Sequence, residues 1–473
     1  MTTQQLTRAG AAQLGKLRAE APAPIRLVHL GLGAFHRAHQ VWYTQASEAD
    51  PAHPEWGYCS FTGRSPRMSD LLSAQDGLYT LVTRSGEGDS PEIIESLVAA
   101  EPAQNVDRLT ALLAARETAV VTLTITEAGY HLAEGLELDA GDPDVAHDIQ
   151  ELRSALSRNT SPALVTAAGK LVLGLGARRS ANAGGLAAMS CDNIAANGAT
   201  TRSSVLGLAR AVDTELAAWI EENVSFPSTS IDRITPAAEE ALGDEVAEAT
   251  GFSDAAPVVT EPFASWVISG EFPAGRPEWE RGGAEFVTDI EPFENRKLWL
   301  LNGSHSLMAY YGQLRGHATV AEAIADPECR RRVEALWDEA ARHLTLPELA
   351  VPEYRAALIR RFENPRIRHN LAQIAIDGAT KQRMRAVPIL KAELDAGRDG
   401  SAAVFSIAGW IAFVQREVAA GREVKDTRSA EIAEAANAAD PVAALLAVLD
   451  LGLARNADVL AQVRDHLTTI GQD

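Results

Sequence analysis

The sequence predicts an α/β N-terminal domain, residues 1–289, followed by a mainly α-helical C-terminal domain, residues 290–473. Three observations carry this. Short apolar runs bounded by Gly, Asn and Asp recur through the first half and alternate with helical stretches, the pattern of a mainly parallel sheet. From about residue 290 the alternation stops: segments around 293–315, 328–344, 381–397, 401–419, 427–438 and 440–470 carry helical periodicity with few strand candidates. Between the halves, FPAGRPEWERGGAEFVTDIEP (272–292) concentrates Pro, Gly and charge, which marks a linker or a cleft-forming crossover.

Along the first half, IRLVHLGLG (25–33) reads as a buried strand ending in glycines, and the stretch through His39 to Ala46 as a helix. The turn Gly31-Leu32-Gly33-Ala34-Phe35-His36 matches two of the three glycines of a GxGxxG motif, with His36 at the third place. Such glycines permit a tight turn and let a pyrophosphate approach backbone amides at a helix N-terminus. The order strand, glycine turn, helix therefore predicts a Rossmann-like dinucleotide-binding domain with Gly31, Leu32, Gly33, Ala34 and Phe35 on the cofactor; a plain loop turned by two glycines shares the local pattern. GYCSFTG (57–63), AVVTLTIT (119–126), GLAAMSCDN (185–193) and APVVTEPF (256–263) read as further strands, separated by helical segments such as VDRLTALLAA and TTRSSVLGLARAVDTELAAWIEEN. The second strand ends in Phe61-Thr62-Gly63-Arg64-Ser65, without the carboxylate that holds a ribose 2′-hydroxyl. Arg64 there is either a partner for a 2′-phosphate or a solvated turn residue. NAD(H) is the expected cofactor, with NADP(H) left open.

The second half opens on KLWLLNGSHSLMAYYG (297–312). At about 100° per residue, Lys297, Asn302 and His305 fall near 0°, 140° and 80°, inside one arc of an apolar helix. An amine, an amide and an imidazole among Leu and Met neighbours suit proton transfer and polarisation of a substrate oxygen. An amphipathic helix with a snorkelling Lys, a turn-capping Asn and a satisfied core His has the same pattern.

Composition narrows the function classes. A formal charge of -21 with no lysine-rich run or basic aromatic stripe disfavours nucleic acid and anionic membrane surfaces as partners, though a local Arg and Lys cluster can still set the field in a pocket for a small acid. Cys59, Cys191 and Cys329 are too few and too scattered for a disulfide framework, and no CxxC or HExxH spacing implies a metal. The N-terminus lacks an apolar signal core, and no apolar run reaches the roughly 18 residues that span a bilayer, so a soluble cytoplasmic protein is expected.

Six motifs in order, GLGAFHRAHQ (31–40), SAQDGLYTLVTR (73–84), TLTITEAGY (122–130), SCDNIAANG (190–198), EPFASWVISGEFPAGRPEWE (261–280) and KLWLLNGSHS (297–306), resemble the polyol-specific long-chain dehydrogenases. That mannitol dehydrogenase family includes mannitol 2-dehydrogenases and fructuronate reductases, also called D-mannonate oxidoreductases. The resemblance implies metal-independent hydride transfer between a nicotinamide cofactor and a secondary alcohol carbon. The family's catalytic lysine falls on Lys297, its oxyanion-binding asparagines on Asn193 and Asn302, and its substrate-positioning histidine on His305. Glu294 and Glu127 match acidic positions tied to the proton path or the rim of the site; an exposed ion pair and a strand-end hydrogen bond are the plain alternatives.

Within the family, RFENPRIRHNLAQIAIDGATKQRMR (361–385), with His369, Gln373 and Lys381, is similar to the fructuronate reductase pattern. That implies interconversion of D-mannonate and D-fructuronate, with Arg366 and Lys381 among the cations available to the sugar carboxylate. A solvated basic face has the same composition. Two departures stand: Ala128 replaces the Lys of the Thr-Glu-Lys-Gly-Tyr signature, and Ala195 the usual Pro. Ala128 keeps mannitol 2-dehydrogenase, or another polyol dehydrogenase, as the alternative. From a different class, a catalytically silent dinucleotide-binding regulator would preserve the glycine turn without needing Lys297, Asn302 and His305. The expected partner is a small sugar acid or polyol, and the expected assembly a monomer or small homo-oligomer.

Overall fold

The computed structural model of the protein describes residues 4–133, 135–158 and 162–471. The chain divides into two compact units, Met1–Ile290 and Glu291–Asp473.

In the first unit six strands form a parallel sheet: β1 Ile25–Leu30, β2 Gly57–Phe61, β3 Leu97–Glu101, β4 Val120–Leu123, β5 Leu186–Ser190 and β6 Val224–Ser225. Their spatial order is β6-β5-β4-β1-β2-β3. Read from the other edge this is the doubly wound order 3-2-1-4-5-6, whose topological switch point lies between β1 and β4. Alternation along each strand feeds two cores. Val28, Leu30, Cys59, Phe61, Val121 and Leu123 pack on one face with helices Val106–Ala114, Ala167–Ser180 and Asn197–Val212. Leu27, Tyr58, Val120, Ala187 and Met189 pack on the other with Ala38, Val41, Trp266 and Trp279. Burial on both faces explains why these strands read as continuous apolar runs, each Val or Leu contributing about 1.5–3 kcal/mol. The strand ends are flush: Leu30 pairs with Leu123 and Phe61, and Leu123 with Ser190. Gly31, Thr62, Thr124 and Cys191 thus emerge side by side at the carboxyl edge.

Several expectations need correction. Val258–Thr260 is a strand, but it pairs parallel with Tyr79–Ser85 outside the main sheet. Tyr79–Ser85 itself forms a hairpin with Gly88–Ile94, and neither strand was read from the sequence. The segment 272–292 is no slack linker. Trp279 is fully buried, donates its indole N–H to Thr44 Oγ1 at 3.0 Å and lies 4.6 Å from the Trp266 ring. Its Pro and Gly turn the chain while its aromatic residues anchor it.

The second unit is helical. Its first run, 291–312, is not one regular helix: α-helical Glu291–Arg296 and Gly303–Leu307 alternate with π-helical Lys297–Asn302 and Met308–Gly312. Helix Pro327–Ala341 starts where Asp326 caps the N–H groups of Glu328 and Cys329. Val351–Phe362 is an additional helix, and the stretch expected at 440–470 breaks into Pro441–Leu449 and Ala457–Ile470. One helix, Ser401–Ala419, is long and apolar enough to cross a membrane by length and composition, contrary to the sequence reading. Its Val404, Ile407, Trp410 and Val414 are fully buried, as expected of the central helix of an all-α unit.

Candidate active site

Gly31 has φ +112°, and a Cβ there would lie 2.0 Å from Thr124 O, so only glycine fits. The turn is fastened by the N–H groups of Gly31 and Leu32, which both donate to Phe61 O at 2.9 and 2.8 Å. Gly33 differs: a Cβ there would meet nothing closer than Gly31 O at 3.6 Å, so the protein leaves room over this backbone. That is the space a pyrophosphate needs at the start of the helical run 34–46. Beside it opens a cleft of about 530 Å³ lined by Leu32 and Ala34 from the turn and by Thr62, Gly63, Ser65 and Arg67 after β2. The glycine turn, the room over Gly33 and the cleft fit a dinucleotide. Phe35 is half-buried at the turn and stacks on the His39 ring, with centroids 5.0 Å apart. Arg64 is exposed and does not line the cleft; the arginines that do are the buried Arg37 and the exposed Arg67, both of which the sequence reading missed. Pro66-Arg67 begins helix Arg67–Ser73, a helix start legible in the proline.

His36 replaces the third glycine because it points inward. Its ring stacks on His29 at 3.3 Å, its Nε2 lies 2.9 Å from Ser60 Oγ, and its Nδ1 donates to Gln40 Oε1 at 3.1 Å. Burial holds both imidazoles neutral, pushing His29 down to about 3 and His36 well below its ordinary range.

At the carboxyl ends of β4 and β5 stand the exposed residues Glu127 and Asn193. Glu127 begins the 3₁₀ turn Glu127–Tyr130, and Asn193 follows the buried Asp192. Burial and the Asp192 charge raise the Tyr130 phenol well above its usual value, so it remains a hydrogen-bond donor.

In the second unit, Lys297 and Asn302 are half-buried and bound one π-helical turn. The π geometry changes the sequence reckoning. A five-residue step closes such a turn, as Gly303 N–H to Leu298 O shows, so Lys297 and Asn302 align more closely than about 140° of an α-helix would give. The Leu300 carbonyl in this turn accepts the Gly303 N–H and the Ser304 hydroxyl, and also the Trp337 indole N–H at 2.8 Å. Glu294 lies half-buried three residues before Lys297.

His305 is buried, its Nε2 has no hydrogen-bond partner among the described residues, and its ring meets His369 edge-on at 4.9 Å. Burial, then His369, Arg361, Arg385 and Lys381, hold its pKa well below the ordinary value, so it is neutral and its surroundings are basic. Arg385 Nη1 donates to Asn302 O at 3.0 Å and Ser306 Oγ at 2.8 Å, both uncharged acceptors. Lys381 Nζ donates to Ile374 O at 3.0 Å. The carboxylates that act on Lys381, Asp377 and Asp426, accept the backbone N–H groups of Thr427 and Ala379. Arg366 and Gln373 stand exposed on the same segment.

One His/Asp/Cys group, His317, Asp326 and Cys329, gathers ligand atoms within 4.8 Å, which the sequence spacing did not signal. Asp326 Oδ2 there accepts Arg315 Nε at 2.7 Å and lies 2.9 Å from His317 Nε2, so a guanidinium already holds the place of a cation.

A mannitol dehydrogenase Rossmann-domain model matches residues 25–281, and a mannitol dehydrogenase C-terminal-domain model residues 289–471. The chain belongs to the mannitol dehydrogenase family. It is an oxidoreductase of that family, a dehydrogenase acting on CH–OH groups. D-mannonate oxidoreductase of Escherichia coli is 38% identical over 456 residues, 93% of this chain and 91% of the relative. Mannitol 2-dehydrogenase of Aspergillus fumigatus is 38% identical over 365 residues, 75% of this chain and 71% of the relative. Among solved structures, the ternary complex of Pseudomonas fluorescens mannitol 2-dehydrogenase with NAD and D-mannitol is 31% identical and superposes with a TM-score of 0.78, covering 99% of this chain and 97% of that one.

Proposed function

We propose that this family member interconverts D-mannonate and D-fructuronate with NAD(H) as its cofactor. The observation that carries the reading is the cluster of cations around His305, where Arg385 and Lys381 donate to uncharged acceptors. A polyol offers such a cluster no charge, whereas a carboxylate pairs with a guanidinium or an ammonium through charge-assisted hydrogen bonds.

The Gly31–Phe35 turn would hold NAD(H), which would supply the hydride donor or acceptor. Lys297 takes the hydroxyl proton during oxidation and returns it during reduction, which requires an amine that is partly neutral near working pH. Glu294 and Glu127 pass that proton toward solvent. Asn193 and Asn302 donate N–H groups to the oxygen as negative charge develops on it. Neutral His305 positions the substrate through its Nε2, which has no partner among the described residues. Arg366, His369, Gln373 and Lys381 hold the sugar acid, and Arg67, which lines the cleft where Arg64 does not, is available to a 2′-phosphate.

The test is reduction of D-fructuronate, D-tagaturonate and D-fructose in parallel, each with NADH and with NADPH. Higher kcat/KM for D-fructuronate than for D-fructose, with NADH, is expected. Ala128 favours a second reading, mannitol 2-dehydrogenase, which a preference for D-fructose would establish; turnover of none would return the silent regulator.

A further inference from the structure

Between the ends of β4 and β5 lies a buried carboxylate that the mechanism above does not use. Asp192 is 9% exposed. Its Oδ2 accepts the Ile125 N–H at 3.0 Å and the Tyr130 hydroxyl at 2.7 Å, and its Oδ1 accepts the Thr126 N–H at 2.9 Å. Its own backbone is fixed as well. The N–H donates to Ser190 Oγ at 3.1 Å, and the carbonyl accepts the Asn197 side-chain amide at 3.1 Å and the Ile194 N–H at 2.9 Å. The residue between these anchors is Asn193.

The loop that Asp192 holds is strained. Thr126 has φ +67° and ψ 162°, a region that belongs to glycine and that a β-branched residue occupies only when its surroundings hold it there. A carboxylate taking two successive backbone N–H groups is the restraint that does so, and it fixes Glu127, the next residue. The N–H groups of the Gly31 turn are held by Phe61 O rather than by Asp192, and the turn meets the loop through Thr124, whose Oγ1 donates to Gly31 O at 2.9 Å.

We infer that Asp192 is a positioning residue that locks the loop of Glu127 against the loop of Asn193 and so aims the Asn193 amide at the reacting oxygen. The inference rests on the reading of Asn193 as an oxyanion donor. An amide at 192 cannot replace the carboxylate, because it offers one acceptor oxygen and turns an NH₂ toward an N–H.

The experiment compares the parent enzyme with Asp192→Asn, Tyr130→Phe and Asn193→Ala, measuring kcat with D-fructuronate, or with D-fructose if the parent prefers it, and NADH Kd by fluorescence. Asp192→Asn is expected to lower kcat by about 10²-fold, the usual cost of misplacing a catalytic group by an ångström, with NADH affinity held within about threefold. Should that variant fail to fold, Tyr130→Phe, which removes one of the three donors, is expected to lower kcat about fivefold. Unchanged kcat in the folded variant beside a strong loss in Asn193→Ala overturns the inference alone. A loss of kcat matched by an equal loss of NADH affinity marks a merely structural carboxylate and also overturns it. Full activity in Asn193→Ala, or no turnover by the parent, overturns the reading of the site and this inference with it.

Discussion

Gly31 and Gly33 look alike in the sequence but carry different constraints. A methyl at 31 collides with Thr124 O, whereas a methyl at 33 meets only an ordinary contact. Gly31→Ala is therefore expected to unfold or strongly destabilise the first unit, while Gly33→Ala leaves its thermal midpoint nearly unchanged and weakens NADH binding more than about tenfold. Equal effects of the two substitutions on stability would contradict this account. Lys297→Ala is expected to lower kcat by at least about 10²–10⁴-fold with NADH affinity preserved, because the lysine's role is proton transfer; near-normal turnover would remove it from the mechanism. At this scale the sequence was informative wherever residue type alone sets the constraint, as for the glycines. It failed where orientation decides: Arg64 and Arg67 flank one turn, and only the helix start at Pro66 determines which lines the cleft. Asp192 escaped notice because nothing in its local sequence shows that it meets the 125–130 loop.

Among elements, the strands β1, β2, β4 and β5 were legible because two buried faces leave an unbroken apolar run, while the Tyr79–Ser85 hairpin was passed over despite its Gly86 and Gly88 turn. The helical run 291–312 was legible as helix but not as π-helix, since widened turns depend on what satisfies their carbonyls. Trp337 is one such group, donating to Leu300 O and Ser304 Oγ at 2.8 and 2.6 Å. Trp337→Phe is expected to cost the second unit about 1–3 kcal/mol and to lower kcat by shifting Asn302. Stability loss with an unaltered kcat would show that the π turn does not depend on this donor.

For the whole molecule, acid sensitivity follows from buried imidazoles. His29, His36 and His305 are all held below their ordinary range, so under about pH 6.5 the unfolded chain binds protons that the folded chain does not. Their contribution is complete above that pH and is lost as pH falls, by up to about 2.7 kcal/mol per pH unit in the first unit, which holds two of them. Exposed His53, raised by Asp50, opposes this only weakly through solvent. Urea midpoints at about pH 7.5 and 5.5 check the sign: the first unit is expected to unfold earlier at the lower pH, and equal midpoints would contradict it. The basic segment 361–385 was legible despite the net charge of -21, but its placement beside His305 arises only in the folded unit. The most direct test of the central claim is kcat/KM for D-fructuronate relative to D-fructose in the parent and in Lys381→Met. The account predicts a parent that prefers D-fructuronate and a variant that loses about 10–10²-fold on that substrate with little change on D-fructose. A parent that prefers D-fructose, or a variant that loses both substrates alike, would contradict it.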